Sequence, residues 1–158
     1  MKKQTGFSLI ELLIVVAIIL IIAAIAIPNL LRSRMAANEA SAVGSLRTIN
    51  TAEVTYATSY PTEGFAANLA ALGGAAPCGP AAVGAACLID EVLSVTGTKS
   101  GYTFLAPGTG AIPRVAYTAT AVPTIVGSSG QRSFFSDQSG VIRYDTTGAV
   151  PTAASPAL

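Results

Sequence analysis

The residue whose type and position most clearly imply chemistry is Glu11, a carboxylate inside an apolar stretch. From Phe7 to Ile27 there are 21 residues, and Glu11 is the only charged one among them. A helix of that length spans roughly 30 Å, enough to cross the hydrocarbon core of a bilayer. An ionisable group in a membrane segment is energetically costly. Its presence therefore indicates a functional role in which it pairs with another group.

The other residues that could do chemistry form no catalytic pattern. The chain has no histidine, the commonest general base and metal ligand. Asp90 and Glu91 are the only adjacent acids, and adjacent acids in a turn are usually solvated rather than catalytic. The glycine-rich stretches lack the context of a phosphate-binding loop. We therefore expect no enzymatic activity and no cofactor.

Two acids near the C-terminal end raise the question of a metal site. Asp137 and Asp145 flank the last predicted hairpin and could contribute to a calcium site. Calcium takes about six to eight oxygen ligands, usually including several carboxylates. Two acids beside a glycine turn are more simply turn formers, so we predict no metal site.

The element that must position Glu11 is a long helix. No glycine or proline interrupts residues 7–27, and Gly44 is the strongest breaker between Pro28 and Pro61. After Pro28, apolar residues recur every three or four positions, which predicts an amphipathic helix. The expected apolar stripe is Leu30, Leu31, Met35, Ala36, Val43, Leu46, Ile49 and Val54, and the expected polar face includes Arg32, Arg34, Asn38, Glu39, Ser45, Arg47 and Glu53. The proline removes a hydrogen bond to the Ala24 carbonyl, which predicts a kink.

The first residues combine a short basic leader ending in Gly6, then Phe7, then Glu11 four positions later. This pattern resembles the N-terminus of type IV pilins and of type II secretion pseudopilins. The resemblance implies that a prepilin peptidase cleaves between Gly6 and Phe7 and N-methylates the new Phe7 amine. It also implies that the leader stays cytoplasmic and that residues 29–158 lie outside.

In such a family, Glu11 acquires a partner. The cationic amine of Phe7 on an adjacent subunit could pair with the Glu11 carboxylate and fix the axial register of a filament. The simpler alternative is a carboxylate that snorkels to the membrane interface. In the resembling family a proline occupies the position of Pro28, and the segment before it loosens when subunits enter the filament. Many members also have a glycine eight residues before that proline. This chain has Leu20 instead, and a passive kink is the alternative function of Pro28.

The two cysteines, Cys78 and Cys87, fall in the part of the chain that the resemblance places outside the cytoplasm. An even cysteine count in an exported domain favours a disulfide, and the spacing does not match a CxxC redox or zinc motif. We expect a Cys78–Cys87 disulfide that closes a loop, with free thiols as the alternative. The resembling pilins commonly close a C-terminal loop instead.

The rest of the chain predicts a small antiparallel sheet packed on the second half of the helix. The predicted strands are 101–105, 114–122, 132–135 and 141–144, with helical turns at 66–72 and 88–93. The fold class is α+β, and a long helix followed by such a sheet resembles the pilin fold. The expected segments are leader 1–6, filament-core helix 7–28, amphipathic helix 29–58, connecting region 59–100, sheet 101–148 and flexible tail 149–158.

These features favour a structural subunit of a type IV pilus that serves adhesion, twitching motility or DNA uptake. The implied partners are further copies of the chain, the prepilin peptidase, the inner-membrane assembly machinery and, before assembly, membrane lipid. The precursor would lie in the bacterial inner membrane and the filament outside the cell. The net charge of +1 becomes −1 without Lys2 and Lys3. Because the chain is close to neutral, we infer no basic surface that would bind nucleic acid. The alternatives are a type II secretion pseudopilin and a single-pass membrane protein whose outer domain binds a ligand.

Overall fold

A computed structural model describes residues 7–74 and 77–158. The predicted leader and its last residue, Gly6, therefore lie outside the described residues. The chain comprises two compact units, Met1–Arg34 and Met35–Leu158.

The first element is the helix α1, Leu9–Ser59, which contains Pro28. Its end agrees with the turn chemistry of the next residues, since Pro61 has no backbone N–H with which to continue a helix. The chain turns here through hydrogen bonds from the Glu63 and Gly64 N–H groups to the Tyr60 carbonyl, at 2.9 and 3.1 Å.

The buried face of α1 differs from the predicted apolar stripe. Its buried residues are Glu39, Ala42, Val43, Ser45, Leu46, Ile49, Ala52, Glu53 and Tyr56. Positions 39, 42, 46, 49, 53 and 56 follow steps of three and four residues, which place them on one helical face. The prediction that Glu39, Ser45 and Glu53 belong to the polar face is wrong, since all three are buried. Val54, which was assigned to the stripe, is 60% exposed.

Six strands follow in the described residues 77–158, all antiparallel to their neighbours. They are β1 (Thr98–Lys99), β2 (Tyr102–Leu105), β3 (Gly108–Thr109), β4 (Ala116–Pro123), β5 (Ser133–Asp137) and β6 (Arg143–Asp145). The sheet order is β1-β2-β4-β5-β6, and β3 pairs with β4 alongside this path. The α+β class with a long helix packed on an antiparallel sheet is confirmed, and the four predicted strands correspond to β2, β4, β5 and β6. The structure adds two strands of two residues each, too short to produce a period in the sequence.

The core of the second unit lies between α1 and the inner face of the sheet. Strand β4 alternates between buried and half-buried residues, as expected for a strand with one face on a core. Its inward residues are Tyr117, Ala119 and Ala121, and the two alanines join the same buried cluster as Leu46 and Ile49 of α1.

The connecting region contains the helix α2, Leu69–Leu72, and a π-helical turn, Val92–Thr96. The Asn68 side chain caps α2 by accepting a hydrogen bond from the Ala71 N–H at 3.1 Å. The first predicted helical turn thus contains α2, whereas the second lies a few residues further along the chain than predicted.

The residues after β6 fold back along its outer edge. The Tyr144 N–H donates to the Pro156 carbonyl at 3.0 Å, and the Leu158 N–H donates to the Ile142 carbonyl at 2.9 Å. The Arg143 side chain also donates to the Ser155 carbonyl at 2.8 Å. These bonds satisfy backbone groups that a bare strand edge would leave open to another chain.

Candidate functional site

The start of α1 brings together two of the residues that the sequence singled out. Phe7 precedes the helix and is 78% exposed, and Glu11 lies in its first turn. The Ser8 N–H donates a hydrogen bond to Glu11 Oε2 at 2.9 Å. Because a helix leaves its first N–H groups without intrahelical acceptors, this carboxylate stabilises the beginning of α1.

Sequence reasoning missed this contact, although the signal was present. Ser8 and Glu11 have the Ser-x-x-Glu spacing of a capping box, in which a glutamate at the third helical position accepts from the backbone N–H of the cap residue. The contact occupies Oε2, and a carboxylate has about four lone-pair positions. Glu11 can therefore cap its own helix and still accept a hydrogen bond from another group.

The apolar part of α1 exposes its side chains along its whole length. Large aliphatic side chains from Leu9 to Leu31 are about half exposed or more. By length and composition this part of α1 could cross a membrane, and none of its most apolar stretch is buried within the chain. Such a surface requires either lipid or other apolar helices around it.

Pro28 lies inside α1, and the residues on both sides of it are helical. The predicted kink and the segment boundary at residue 28 stay predictions.

In the second unit, Glu39 joins α1 to the residues before β5. Its Oε1 accepts hydrogen bonds from the backbone N–H groups of Gln131 and Arg132 at 2.9 and 3.1 Å, and its Oε2 accepts from Arg132 Nε at 2.8 Å. Burial alone would raise the pKa of Glu39, but these backbone donors and the guanidinium outweigh it and lower the pKa below its ordinary value. The Arg132 guanidinium also lies over the rings of Phe134 and Tyr144, 5.6 and 5.8 Å from their centroids.

A second buried carboxylate, Glu53, lies further along α1. Its Oε2 accepts a hydrogen bond from the Ala66 N–H at 2.8 Å. Burial raises the pKa of Glu53 to about 7, against the opposing effects of the Ala66 N–H and the Arg114 charge. Neither buried carboxylate was expected from the sequence, where both were assigned to the solvent.

The two cysteines form a disulfide, Cys78–Cys87. The loop that it closes contacts α1 through the Tyr56 hydroxyl, which donates to the Val83 carbonyl at 2.7 Å. The disulfide therefore lies on the connecting region and not on the C-terminal hairpin.

Asp137 and Asp145, the two acids that could contribute to a calcium site, act in turns. Asp137 Oδ1 accepts from the Ser139 N–H at 2.9 Å, and Asp145 Oδ1 accepts from the Thr147 N–H at 2.7 Å. Hydrogen bonds from the Thr147 side chain and backbone lower the pKa of Asp145. Among residues 7–74 and 77–158, no group of three or more His, Cys, Asp or Glu residues could hold a metal ion.

An apolar groove of about 550 Å³ lies between α2, the π-helical turn and β2. Its lining runs through 68–70, 93–97 and 103–107 and includes no acidic, basic or sulfur-containing side chain.

Comparison with known proteins gives matches at the N-terminal end of the chain. Residues 1–27 match the family model described as the prokaryotic N-terminal methylation motif. A stretch of 39 residues, 25% of this chain, is 62% identical to the type IV wide pilus major component PilA4 of Thermus thermophilus. That stretch spans 30% of the length of the Thermus protein. No solved structure matches the chain.

Proposed function

Because residues 1–27 carry the N-terminal methylation motif of prokaryotic type IV prepilins, we propose that the chain is the precursor of a type IV pilus subunit. In this proposal residues 1–6 are a leader, residues 7–28 form the filament core, and the second unit faces the exterior. The observation that carries the proposal is the position of Glu11. It lies in the first turn of a helix whose most apolar stretch has no cover within the chain, four residues after the expected new N-terminus.

Maturation would begin with cleavage between Gly6 and Phe7 by a prepilin peptidase, which also methylates the Phe7 amine. Before assembly, residues 7–28 would lie in the inner membrane, with their apolar side chains in contact with lipid acyl chains. The assembly machinery would then transfer each subunit from lipid into a growing extracellular filament.

The proposed role of Glu11 follows from the lipid that would surround the helix. Lipid tails are as apolar as leucine, so helix association in the membrane gains little from the hydrophobic effect and depends on packing and polar contacts. The uniform aliphatic surface of α1 would allow neighbouring helices to slide. A pair between the Glu11 carboxylate and the Phe7 amine of the next subunit is strong in a low dielectric and is satisfied at one register only.

The experiment compares Glu11→Ala with Glu11→Gln in the producing cell. The glutamine amide oxygen still accepts the Ser8 N–H, so it keeps the helix cap but carries no charge. We expect both variants to be cleaved after Gly6, as verified by mass spectrometry, and both to lose most surface filaments.

Two outcomes would count against this mechanism. Wild-type filament yield from Glu11→Gln, with loss only in Glu11→Ala, would mean that helix capping is sufficient. A chain that is never cleaved and still carries Met1–Gly6 would contradict the prepilin proposal itself.

Mass spectrometry of the wild-type chain in sheared filaments and in the cell envelope separates the alternative functions. A processed chain that forms the bulk of filaments sheared from the cell surface supports a major pilin. A processed chain confined to the envelope supports a type II secretion pseudopilin. An unprocessed, membrane-anchored chain supports a single-pass binding protein.

A further inference from the structure

Glu53 is a buried carboxyl group with an incomplete set of hydrogen bonds. The residue is 0% exposed, and the Ala66 N–H donates to Oε2 at 2.8 Å. Its other oxygen, Oε1, is buried and has no hydrogen-bond partner among the residues that the structure describes. An unpartnered oxygen of an ionised carboxylate is strongly unfavourable in such a place, whereas the protonated carboxyl avoids most of this cost.

Arg114 is the cation whose charge acts on Glu53. Its backbone is fixed to the connecting region, since the Arg114 N–H donates to the Glu63 carbonyl at 2.8 Å and the Phe65 N–H donates to the Arg114 carbonyl at 3.0 Å. Its side chain is 18% exposed and pairs with Glu63. The Nη1 atom lies 3.6 Å from Glu63 Oε2, which is an ion pair longer than a good hydrogen bond.

The charge of Glu53 also acts on two other titratable groups, Tyr56 on α1 and Tyr117 on β4. Burial raises the pKa of Tyr56 above its ordinary value and that of Tyr117 to about 12. Both phenols therefore stay neutral at and below neutral pH. The charge balance around Glu53 in that range depends on Glu53, Glu63 and Arg114.

We propose that the Arg114 guanidinium exchanges between two carboxylates with pH, pairing with Glu63 while Glu53 is protonated and with Glu53 Oε1 once Glu53 ionises. The exchange supplies the unpartnered oxygen with a charged donor at the moment when it needs one. The pair with Glu63 is weak enough to be given up, because its separation of 3.6 Å is longer than a good hydrogen bond.

The consequence is a change of surface charge where α1 ends. With Glu53 protonated, Arg114 and Glu63 neutralise each other. With Glu53 ionised, Arg114 is engaged in the interior and Glu63 presents an uncompensated carboxylate to the solvent. This switch lies entirely in the unit Met35–Leu158 and does not depend on the proposed role in a filament.

The test is an NMR titration of the full chain in detergent micelles, with ¹³C-labelled glutamate carboxyls and ¹⁵N-labelled arginine side chains. In the wild type, we expect the Glu53 carboxyl to titrate near neutral pH and the Arg114 Nε signal to shift with the same midpoint. Wild-type protein alone decides this point, so no variant has to fold. An Arg114 signal that does not follow the Glu53 titration would overturn the proposal.

Three variants sharpen the result. Glu53→Gln keeps an acceptor for the Ala66 N–H and should abolish the pH response of the Arg114 signal. Glu63→Gln releases Arg114, so the Glu53 midpoint should fall by about one pH unit or more, the size typical of a nearby opposite charge. Arg114→Gln should raise the midpoint. A persistent Arg114 response in Glu53→Gln, or an unchanged midpoint in both of the other variants, would refute the exchange.

Discussion

Glu39 and Arg132, which lie 93 residues apart in the chain, form a charge-assisted contact that joins α1 to the sheet. The Arg132 Nε donates to Glu39 Oε2 at 2.8 Å, while the backbone N–H of Arg132 donates to Oε1 at 3.1 Å. One carboxylate thereby fixes both the main chain and the side chain at the entrance to β5. The contact is a tertiary connection between the long helix and the first strand of the C-terminal hairpin.

Replacing Glu39 by alanine should destabilise the second unit by about 2–4 kcal/mol, because it leaves two backbone donors and a guanidinium without their acceptor. Urea unfolding of the full chain in micelles, followed by near-ultraviolet circular dichroism, measures this loss through the buried tyrosines. The matched control is Glu91→Ala, the loss of an exposed acid, which should change the free energy of unfolding by less than about 0.5 kcal/mol. Equal effects of the two substitutions would contradict the assigned role.

The pH dependence of the Glu39 contribution has a definite sign. The pKa of Glu39 is lower in the folded chain than its ordinary value of 4.5. Its stabilisation is therefore fully present above pH 4.5 and is lost as the pH falls through the folded pKa. Glu39→Gln should flatten this acid limb of the stability curve, and a limb that is as steep in the variant as in the wild type would count against it.

Glu53 should produce the opposite dependence. Its pKa is raised from 4.5 to about 7 in the folded chain, so its contribution is most favourable below pH 4.5 and declines as the pH rises to 7. The difference corresponds to about 3 kcal/mol. Glu53→Gln should therefore leave stability at pH 4 nearly unchanged and increase it at pH 8, as measured by urea unfolding at both values. A gain that is equal at both pH values would exclude ionisation as the cause.

Local signals in the sequence were sufficient for much of the fold. The apolar run and the turn residues after Ser59 predicted α1, and β-branched and aromatic segments predicted β2, β4, β5 and β6. The first helical turn also carried a readable signal, since Ser8 and Glu11 have capping-box spacing. The apolar surroundings of Glu11 point to an intermolecular partner, whereas the capping-box spacing points to a contact within the helix.

The buried carboxylates could not be assigned from the sequence, because their partners are supplied by the fold. Glu39 is satisfied by residues 131 and 132, and Glu53 by the N–H of Ala66. A glutamate on a helix is normally solvated. The one sequence signal to the contrary is that Glu39 and Glu53 each lie seven residues from the apolar Leu46, which places all three on one face of the helix. The connecting region was equally hard to predict, since alanine and glycine give little periodicity and its arrangement depends on the disulfide.

Loss of the Cys78–Cys87 disulfide should loosen the segment that pairs with α2. Next to the bond, the Ala86 and Leu88 N–H groups donate to carbonyls of α2 at 2.9 and 2.7 Å. The chain-entropy model assigns at most about 3 kcal/mol to a loop of this size. Replacing both cysteines by serine should therefore accelerate hydrogen exchange at these two amides while β4 and β5 stay protected. Reductant should reproduce the effect in the wild type and do nothing further to the double variant, and unchanged exchange in both cases would contradict the prediction.

Two glycines offer a pair of substitutions with opposite expected signs. A Cβ at Gly130 would overlap the ring edge and hydroxyl of Tyr102, which is fully buried and donates to the Arg132 carbonyl at 2.8 Å. Gly130→Ala should therefore destabilise the second unit by about 1–3 kcal/mol through overpacking. A Cβ at Gly44 meets nothing within 4 Å, so Gly44→Ala should stabilise α1 by about 1 kcal/mol.

The source of the Gly130 effect can be tested with a double-mutant cycle in urea unfolding. Tyr102→Phe removes the hydroxyl that the new methyl group would displace, at the cost of its hydrogen bond to Arg132. If overlap with this hydroxyl causes the loss, the double variant will lose less stability than the sum of the two single losses. Substitutions at residues in contact have non-additive effects on the free energy of unfolding. Strict additivity would place the origin of the effect elsewhere in the loop, and a neutral Gly130→Ala would contradict the close approach of the two residues.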